Sequence, residues 1–324
     1  MRGHCWLMKI LLATCAALLV CAAPAHAVIG GERVDESTVP WFAGVGGCGG
    51  TVVAPDRVVT AAHCVSGATL TDFNRFEAGS TARRVTGVSM APGWERRNGR
   101  NFLDDVAIVR FGRPFEGVTP IPVGTAAGTP WILGHGISEA GADGLLRRAP
   151  LRVLSDAECA RAYKQVRGND GERFNATRMV CAGDVDGRAP LSSGCNGDSG
   201  GPLYAEGPVL LGIVSWGSVR CGADGTPSVF AQADRYRSLI ADPDPVWAPQ
   251  TYGSATVKRS DGRLKCSPPV YTERVDKLAY TWFDGGRTVG SGRTFKTSSR
   301  HRRATCRIEA SNAGGFSIVL SART

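Results

Sequence analysis

Three short stretches carry side chains that could do covalent chemistry together. VVTAAHC places His63 at the end of an apolar run beside Cys64, FLDDVAIVRF places Asp105 at the head of another, and CNGDSGGPL contains Ser199. A serine hydroxyl is a poor nucleophile at neutral pH and needs an adjacent base. In the order His, Asp, Ser, His63 would accept the Ser199 proton and pass it to a leaving group. Asp105 would hold the imidazole in the correct tautomer and stabilise its charged form. The order matters, because Gly197-Asp198-Ser199-Gly200-Gly201 also fits the loose G-x-S-x-G elbow, whose acid and histidine follow the serine. Only His301 follows Ser199, far out in a basic tail, and the strand–helix alternation of that elbow's fold is absent. A lone strand-end histidine or turn aspartate is more often structural, so the ordered combination carries the reading. No CxxC or HxxxH spacing suggests zinc, and no phosphate loop or nucleotide fingerprint occurs. No cofactor or metal is expected.

These residues need a scaffold, and its texture between 28 and 249 is all-β. Runs such as GTVVA, DRVVTAA, VAIVRF and VLLGIVSW alternate with Gly, Pro and Asp turns, which predicts a sandwich or barrel. Helices are expected only at 156–163 (DAECARAY) and near 234–241 (DRYRSLIA). Before the scaffold, Arg2 and Lys9, the apolar run 10–23 and Ala25-His26-Ala27 follow the order of a signal peptide cut after Ala27. That run is well short of the roughly 20 residues that cross a bilayer. Val20 is too bulky for a lipoprotein signal at Cys21. The chain is therefore expected to be secreted. Of its 11 cysteines, three fall in the leader, leaving Cys48, Cys64, Cys159, Cys181, Cys195, Cys221, Cys266 and Cys306. An even number in an exported chain predicts four disulfides.

VIGG at 28–31, TAAHC around His63, DVAIV from Asp105, GDSGGP around Ser199 and SWG at 215–217 together resemble the trypsin/chymotrypsin-like serine protease family. The resemblance runs from Val28 to about Ile240. It implies two six-stranded antiparallel β-barrels with the site in the cleft between them, and an endopeptidase acting on protein or peptide substrates through an acyl-enzyme. It implies an oxyanion hole from the backbone amides of Gly197 and Ser199, worth roughly 3–4 kcal/mol per donor. It also implies the disulfides Cys48–Cys64, Cys159–Cys181 and Cys195–Cys221. A new N-terminal amine at Val28 would pair with Asp198 and shape that hole. Ala27 stands where a propeptide would normally end, so export itself would activate the enzyme. The pocket for the residue before the cut bond would have Ser193 at its base and Ser215, Trp216, Gly217 and Ser228 along its walls. A trypsin-like specificity would need Asp at the position of Ser193. An uncharged pocket penalises a buried Arg or Lys and rewards apolar burial, which predicts Leu, Met, Phe or Tyr. Only an acid from a neighbouring loop, such as Asp224, would reverse this. His135 stands in LGHG where tryptophan is common and is read as structural. The rival reading is a catalytically silent binding or adhesion module, but this chain keeps every triad residue and the oxyanion glycine.

The 297 residues after Ala27 exceed one typical core. Three prolines in ADPDPVWAPQ, 241–250, suit an extended linker. Residues 28–249 carry 22 Lys and Arg against 24 Asp and Glu, whereas 250–324 carry 14 against 5, a net +9. The expected division is a signal peptide 1–27, a protease domain 28–242, a linker 243–250 and a basic β domain 251–324. In the tail, Cys266, Trp282 and Cys306 fall in the order that resembles an immunoglobulin-like sandwich. Their 40-residue spacing implies a compact version short of some strands, and Ala304 replaces the usual corner tyrosine. The basic stretch GRTFKTSSRHRRATCR, 292–307, favours polyanions through long-range attraction. With one aromatic, Phe295, it offers little base stacking. An acidic envelope polymer or extracellular polysaccharide is the expected partner, against a merely solvated charged face.

Overall fold

The computed structural model describes residues 28–68, 76–78, 81–94, 102–125, 128–137, 143–165, 172–184, 192–222, 225–298, 301 and 304–322. Residues 1–27, expected to be a leader, Asp224 and part of the 292–307 stretch lie outside them. Among the described residues, two antiparallel sheets make up the first two-thirds of the chain. The first has seven strands, in the order Thr81–Ala82, Phe76–Ala78, Phe42–Val45, Cys48–Ala54, Arg57–Thr60, Ala107–Phe111 and Val85–Met90. The second has eight: Glu32–Arg33, Arg147–Pro150, Pro130–Gly134, Pro202–Ala205, Val209–Trp216, Ser228–Gln232, Met179–Gly183 and Arg152–Val153. In each sheet, segments near opposite ends of the order are consecutive in the chain. Only residues 83–84 separate Thr81–Ala82 from Val85–Met90, and only Leu151 separates Arg147–Pro150 from Arg152–Val153. One apolar cluster spans both sheets, from Val52, Val58 and Ile108 to Tyr204, Leu210 and Ile213. The expected helices appear as Asp156–Gln165 and as a 3-10 turn, Ala233–Tyr236, running into Arg237–Ala241.

The tail forms a three-stranded sheet (Thr256–Ser260, Arg263–Ser267, Thr294–Lys296) and a four-stranded one (Arg287–Ser291, Lys277–Asp284, Thr305–Asn312, Gly315–Leu320). Cys266 on the first is bonded to Cys306 on the second, and Trp282 is fully buried beside them, stacked on Phe295 at 5.6 Å. The expectation of missing strands is corrected: seven fit among the described residues. Two-residue hairpin turns save chain length, because Asp261-Gly262 and Gly285-Gly286 all take positive φ. Such turns match the right-handed twist of the strands they join.

The expected linker is extended, but it is packed rather than free. Trp247 is buried against Gly87 and lies under the Arg110 guanidinium at 4.2 Å. Val88 O accepts from Ala248 N at 2.7 Å, and Gly314 O accepts from Met90 N at 2.8 Å. The Arg84 guanidinium sits over Tyr252, whose hydroxyl donates to Val85 O. Strand Val85–Met90, paired on one edge with Ala107–Phe111, thus meets the tail along the other. An exposed strand edge is a hazard that proteins cover, and here the tail covers it.

Candidate active site

The site is built where short strands end. His63 lies just past Arg57–Thr60, in the one-turn helix Ala62–Val65 rather than on the strand itself. Asp105 lies two residues before Ala107–Phe111, which pairs with Arg57–Thr60, so strand pairing brings the two together. His63 Nδ1 is 2.7 Å from Asp105 Oδ2. A carboxylate only accepts, so the Nδ1 proton belongs in that bond and Nε2 is left as the base. Asp105 Oδ1 accepts from the His63 amide at 2.8 Å, and Oδ2 also accepts from Ser215 Oγ at 2.6 Å. Ser215 thus braces the carboxylate, a contact SWG does not reveal. Asp105 is fully buried, whereas the His63 side chain is 25% exposed. Burial works against the charged imidazole, but the Asp105 charge and hydrogen bond outweigh it, so the His63 pKa lies above its ordinary 6.5. Asp104 faces elsewhere, accepting from Tyr236 Oη at 3.0 Å and lying 3.4 Å from Arg178 Nε.

Ser199 is held by its backbone, with Gly49 N donating to Ser199 O at 2.7 Å and Gly200 N to Val214 O at 2.7 Å. It lines a cavity of about 150 Å³ together with His63, Trp216, Gly217 and Ser228. Its hydroxyl makes no hydrogen bond among the described residues; such contacts often tighten only when substrate binds. The amides of Gly197 and Ser199 likewise donate to no acceptor among the described residues. Gly197 has φ 96°, and a Cβ there would press on Gly136. Only glycine suits that turn.

Among the described residues no acidic side chain lines the cavity, and Ser193 is not itself on the lining but bonds Ser228, which is. Ser193 is 2% exposed, and its Oγ lies 3.1 Å from Ser228 Oγ and 3.0 Å from Gly194 O. Gly194 N also donates to Ser228 Oγ at 3.0 Å, which fixes that hydroxyl across the floor. Nothing crowds Gly217, where a Cβ would meet its nearest atom only at 3.9 Å. Trp216 packs on Tyr163 with ring centroids 4.7 Å apart. Sequence reasoning missed Phe102, which lines the same cavity with its ring 5.2 Å from that of His63. A lone aromatic in a polar loop gives no pattern to read.

Asp198 lies behind this wall, fully buried, accepting from Gly136 N at 2.9 Å and Cys195 N at 2.8 Å. No cationic side chain pairs with it among the described residues, and burial pushes its carboxyl up to about 7 against those two donors. Val28 is fully buried among Ile132, Ala149 and Leu203, and Ile29 bridges to Ser193. Cys48–Cys64, Cys159–Cys181 and Cys195–Cys221 are bonded, as is Cys266–Cys306. Cys48, His63 and Cys64 cluster closely enough to suggest a metal, but both sulfurs are in a disulfide and lack the thiolate that zinc requires. His135 bonds Glu36 at 3.2 Å and meets Phe42 edge-on.

A family model described as Trypsin matches residues 28–240. The chain is similar to a vitellin-degrading protease of Bombyx mori, 33% identical, over 66% of this chain and 84% of that one. It is similar to a trypsin of Saccharopolyspora erythraea, 30% identical, over 66% of this chain and 97% of the other. Among solved structures it is similar to neuropsin, a serine protease expressed in the limbic system of mouse brain. There the TM-score is 0.52 and the identity 27%, over 65% of this chain and 96% of that one.

Proposed function

Because the chain belongs to the trypsin-like serine proteases and is a serine endopeptidase, we propose that His63, Asp105 and Ser199 are its catalytic triad. The observation that carries this reading is the buried Asp105 carboxylate, bonded at once to His63 and Ser215, which line a cavity together with Ser199. His63 takes the Ser199 proton as Oγ attacks the scissile carbonyl and returns it to the leaving amine; water then repeats the sequence to release the acyl group. The free amides of Gly197 and Ser199 bind the oxyanion. The specificity site is the cavity lined by Trp216, Gly217 and Ser228, with Ser193 bonded behind Ser228. With hydroxyls in place of a carboxylate, it favours uncharged Leu, Met, Phe or Tyr before the cut bond, because a buried cation would lack a partner. Cleavage profiling on a peptide library, with protein starting at Val28, tests this: enrichment of uncharged residues is expected, and a profile dominated by Arg or Lys refutes it.

Activation follows from Asp198. The buried Asp198 carboxylate, with no cationic partner among the described residues, would take the new α-ammonium of buried Val28, so removal of the leader after Ala27 makes the secreted enzyme active without a separate propeptide. The first sheet is read as a six-stranded barrel when the run interrupted at 83–84 counts as one strand, and the second when the run interrupted at Leu151 counts as one strand and the two-residue Glu32–Arg33 is set aside. The tail is read as an immunoglobulin-like domain, with Cys266–Cys306 and Trp282 as its pin, and its net charge turns it toward an acidic polymer outside the cell. N-terminal sequencing of active secreted protein checks the activation step; any start other than Val28 overturns it.

A further inference from the structure

Taking the tail as the part that meets an acidic polymer, a reading this inference rests on, we propose that the contact is the outer face of the sheet Thr256–Ser260, Arg263–Ser267, Thr294–Lys296. The ligand is an acidic polysaccharide bearing carboxylate or sulfate groups. Strand alternation builds the face. Leu264 and Cys266 point into the core, so Arg263 and Lys265 point out. The register sets Lys258 opposite Lys265 and Arg263 opposite Lys296, all four exposed. Like charges directly opposite one another oppose sheet stability, and none of the four is in an ion pair among the described residues. The cations form a zigzag, spaced about 5 Å across strands and about 7 Å along them. A polymer carrying repeated anionic groups can neutralise several of them at once.

The chemistry of the face selects the class of partner. Between the cations it offers the exposed hydroxyl residues Thr256, Ser260 and Thr294. Those groups suit a sugar chain. Phe295, the aromatic of these three strands, is turned inward onto Trp282, so no ring platform exists for unstacked bases. No large apolar side chain stands on the face to enter a membrane interface. The face is also fixed relative to the catalytic cleft, because Trp247 and the strand-edge bonds lock the tail to the first sheet. Binding would therefore hold the protease at a set orientation on the polymer.

The test uses full-length secreted protein on heparin-agarose, a sulfated uronate polysaccharide, eluted with a salt gradient. The face variant replaces Lys258, Arg263, Lys265 and Lys296 with Ser. A charge-matched control replaces exposed Arg113, Arg237, Lys277 and Arg287 with Ser, and a third variant replaces Arg300, Arg302 and Arg303 with Ser. Thermal unfolding confirms that each is folded. Losing four ionic contacts should lower the slope of log affinity against log salt by roughly 3, so the face variant should elute early while the other two stay near wild type. Equal shifts in the face and control variants would reduce the effect to net charge and overturn the proposal. Loss confined to the Arg300 variant would leave the tail a polyanion-binding domain but move the site off this face. Tighter binding of wild type to single-stranded DNA or phosphatidylserine vesicles than to heparin would overturn the polysaccharide assignment. Hydrolysis of a small peptide should be unchanged in the face variant. Heparin retention by a protein that cleaves nothing would sink the endopeptidase reading and leave this one standing.

Discussion

Asp198 offers a perturbation whose size can be worked out. Its carboxyl is fully buried, and the residues before Val28 leave no α-ammonium beside it; burial pushes it from 3.8 up to about 7. At about 1.4 kcal/mol per pKa unit, holding it ionised there costs about 4 kcal/mol. A raised carboxyl binds more protons folded than unfolded, so stability is greatest below pH 3.8 and falls as pH rises toward 7. Two forms should be compared, one starting at Val28 and one extended by Gly-Ala before it. Urea unfolding with disulfides intact, followed from pH 4 to pH 8, reads the difference. The extended form should lose about 4 kcal/mol across that window relative to the Val28 form. If the Val28 ammonium pairs with the ionised carboxylate as proposed, the stability of that form should hold until the amine itself deprotonates at alkaline pH. Asp198→Asn should flatten the curve of the extended form. Parallel curves for the two forms would refute the pairing and, with it, activation by leader removal.

Asp105→Asn should lower kcat by about 10⁴ by leaving His63 in the wrong tautomer. Asp104→Asn, which disturbs the contact with Tyr236 and Arg178, should change stability and leave kcat near wild type; the pair is read by steady-state kinetics and thermal melts. Because the Asp105 carboxylate raises the His63 pKa above its ordinary 6.5, the acid limb of kcat/KM should have its midpoint above that value. A midpoint at or below 6.5 contradicts the coupling. Ser193→Asp should shift library cleavage toward Arg and Lys, since it places a carboxylate next to Ser228 at the base of the proposed specificity site. Trp247→Ala should destabilise the protein by about 3–5 kcal/mol through lost burial, measured by urea unfolding.

The residues proposed for the site stand in local strings, TAAHC, DVAIV and GDSGGP, each of which puts a side chain at a strand end or turn. The strands around Val52, Val58, Ile108 and Val214 were readable as short β-branched runs between turns, whereas the disulfide pairs came from the family resemblance and not from any local string. What escaped depends on contacts distant in sequence. The bond from Ser215 to Asp105 joins positions 110 residues apart. Phe102 reaches His63 from a polar loop with no periodicity. ADPDPVWAPQ reads as a spacer because prolines dominate it, yet one tryptophan makes it the anchor between the sheets and the tail. The exposed cations of the sheet Thr256–Ser260, Arg263–Ser267, Thr294–Lys296 were not singled out either. They are spread singly over three strands, and only the register gathers them.

The most direct test of the triad is covalent. Mature protein starting at Val28 is treated with a fluorophosphonate, and the adduct is located by peptide mapping. One adduct on Ser199 is expected, abolished by His63→Ala and strongly slowed by Asp105→Asn, while thermal unfolding shows both variants folded. No adduct on the folded wild-type protein, or one on another serine, would contradict the account.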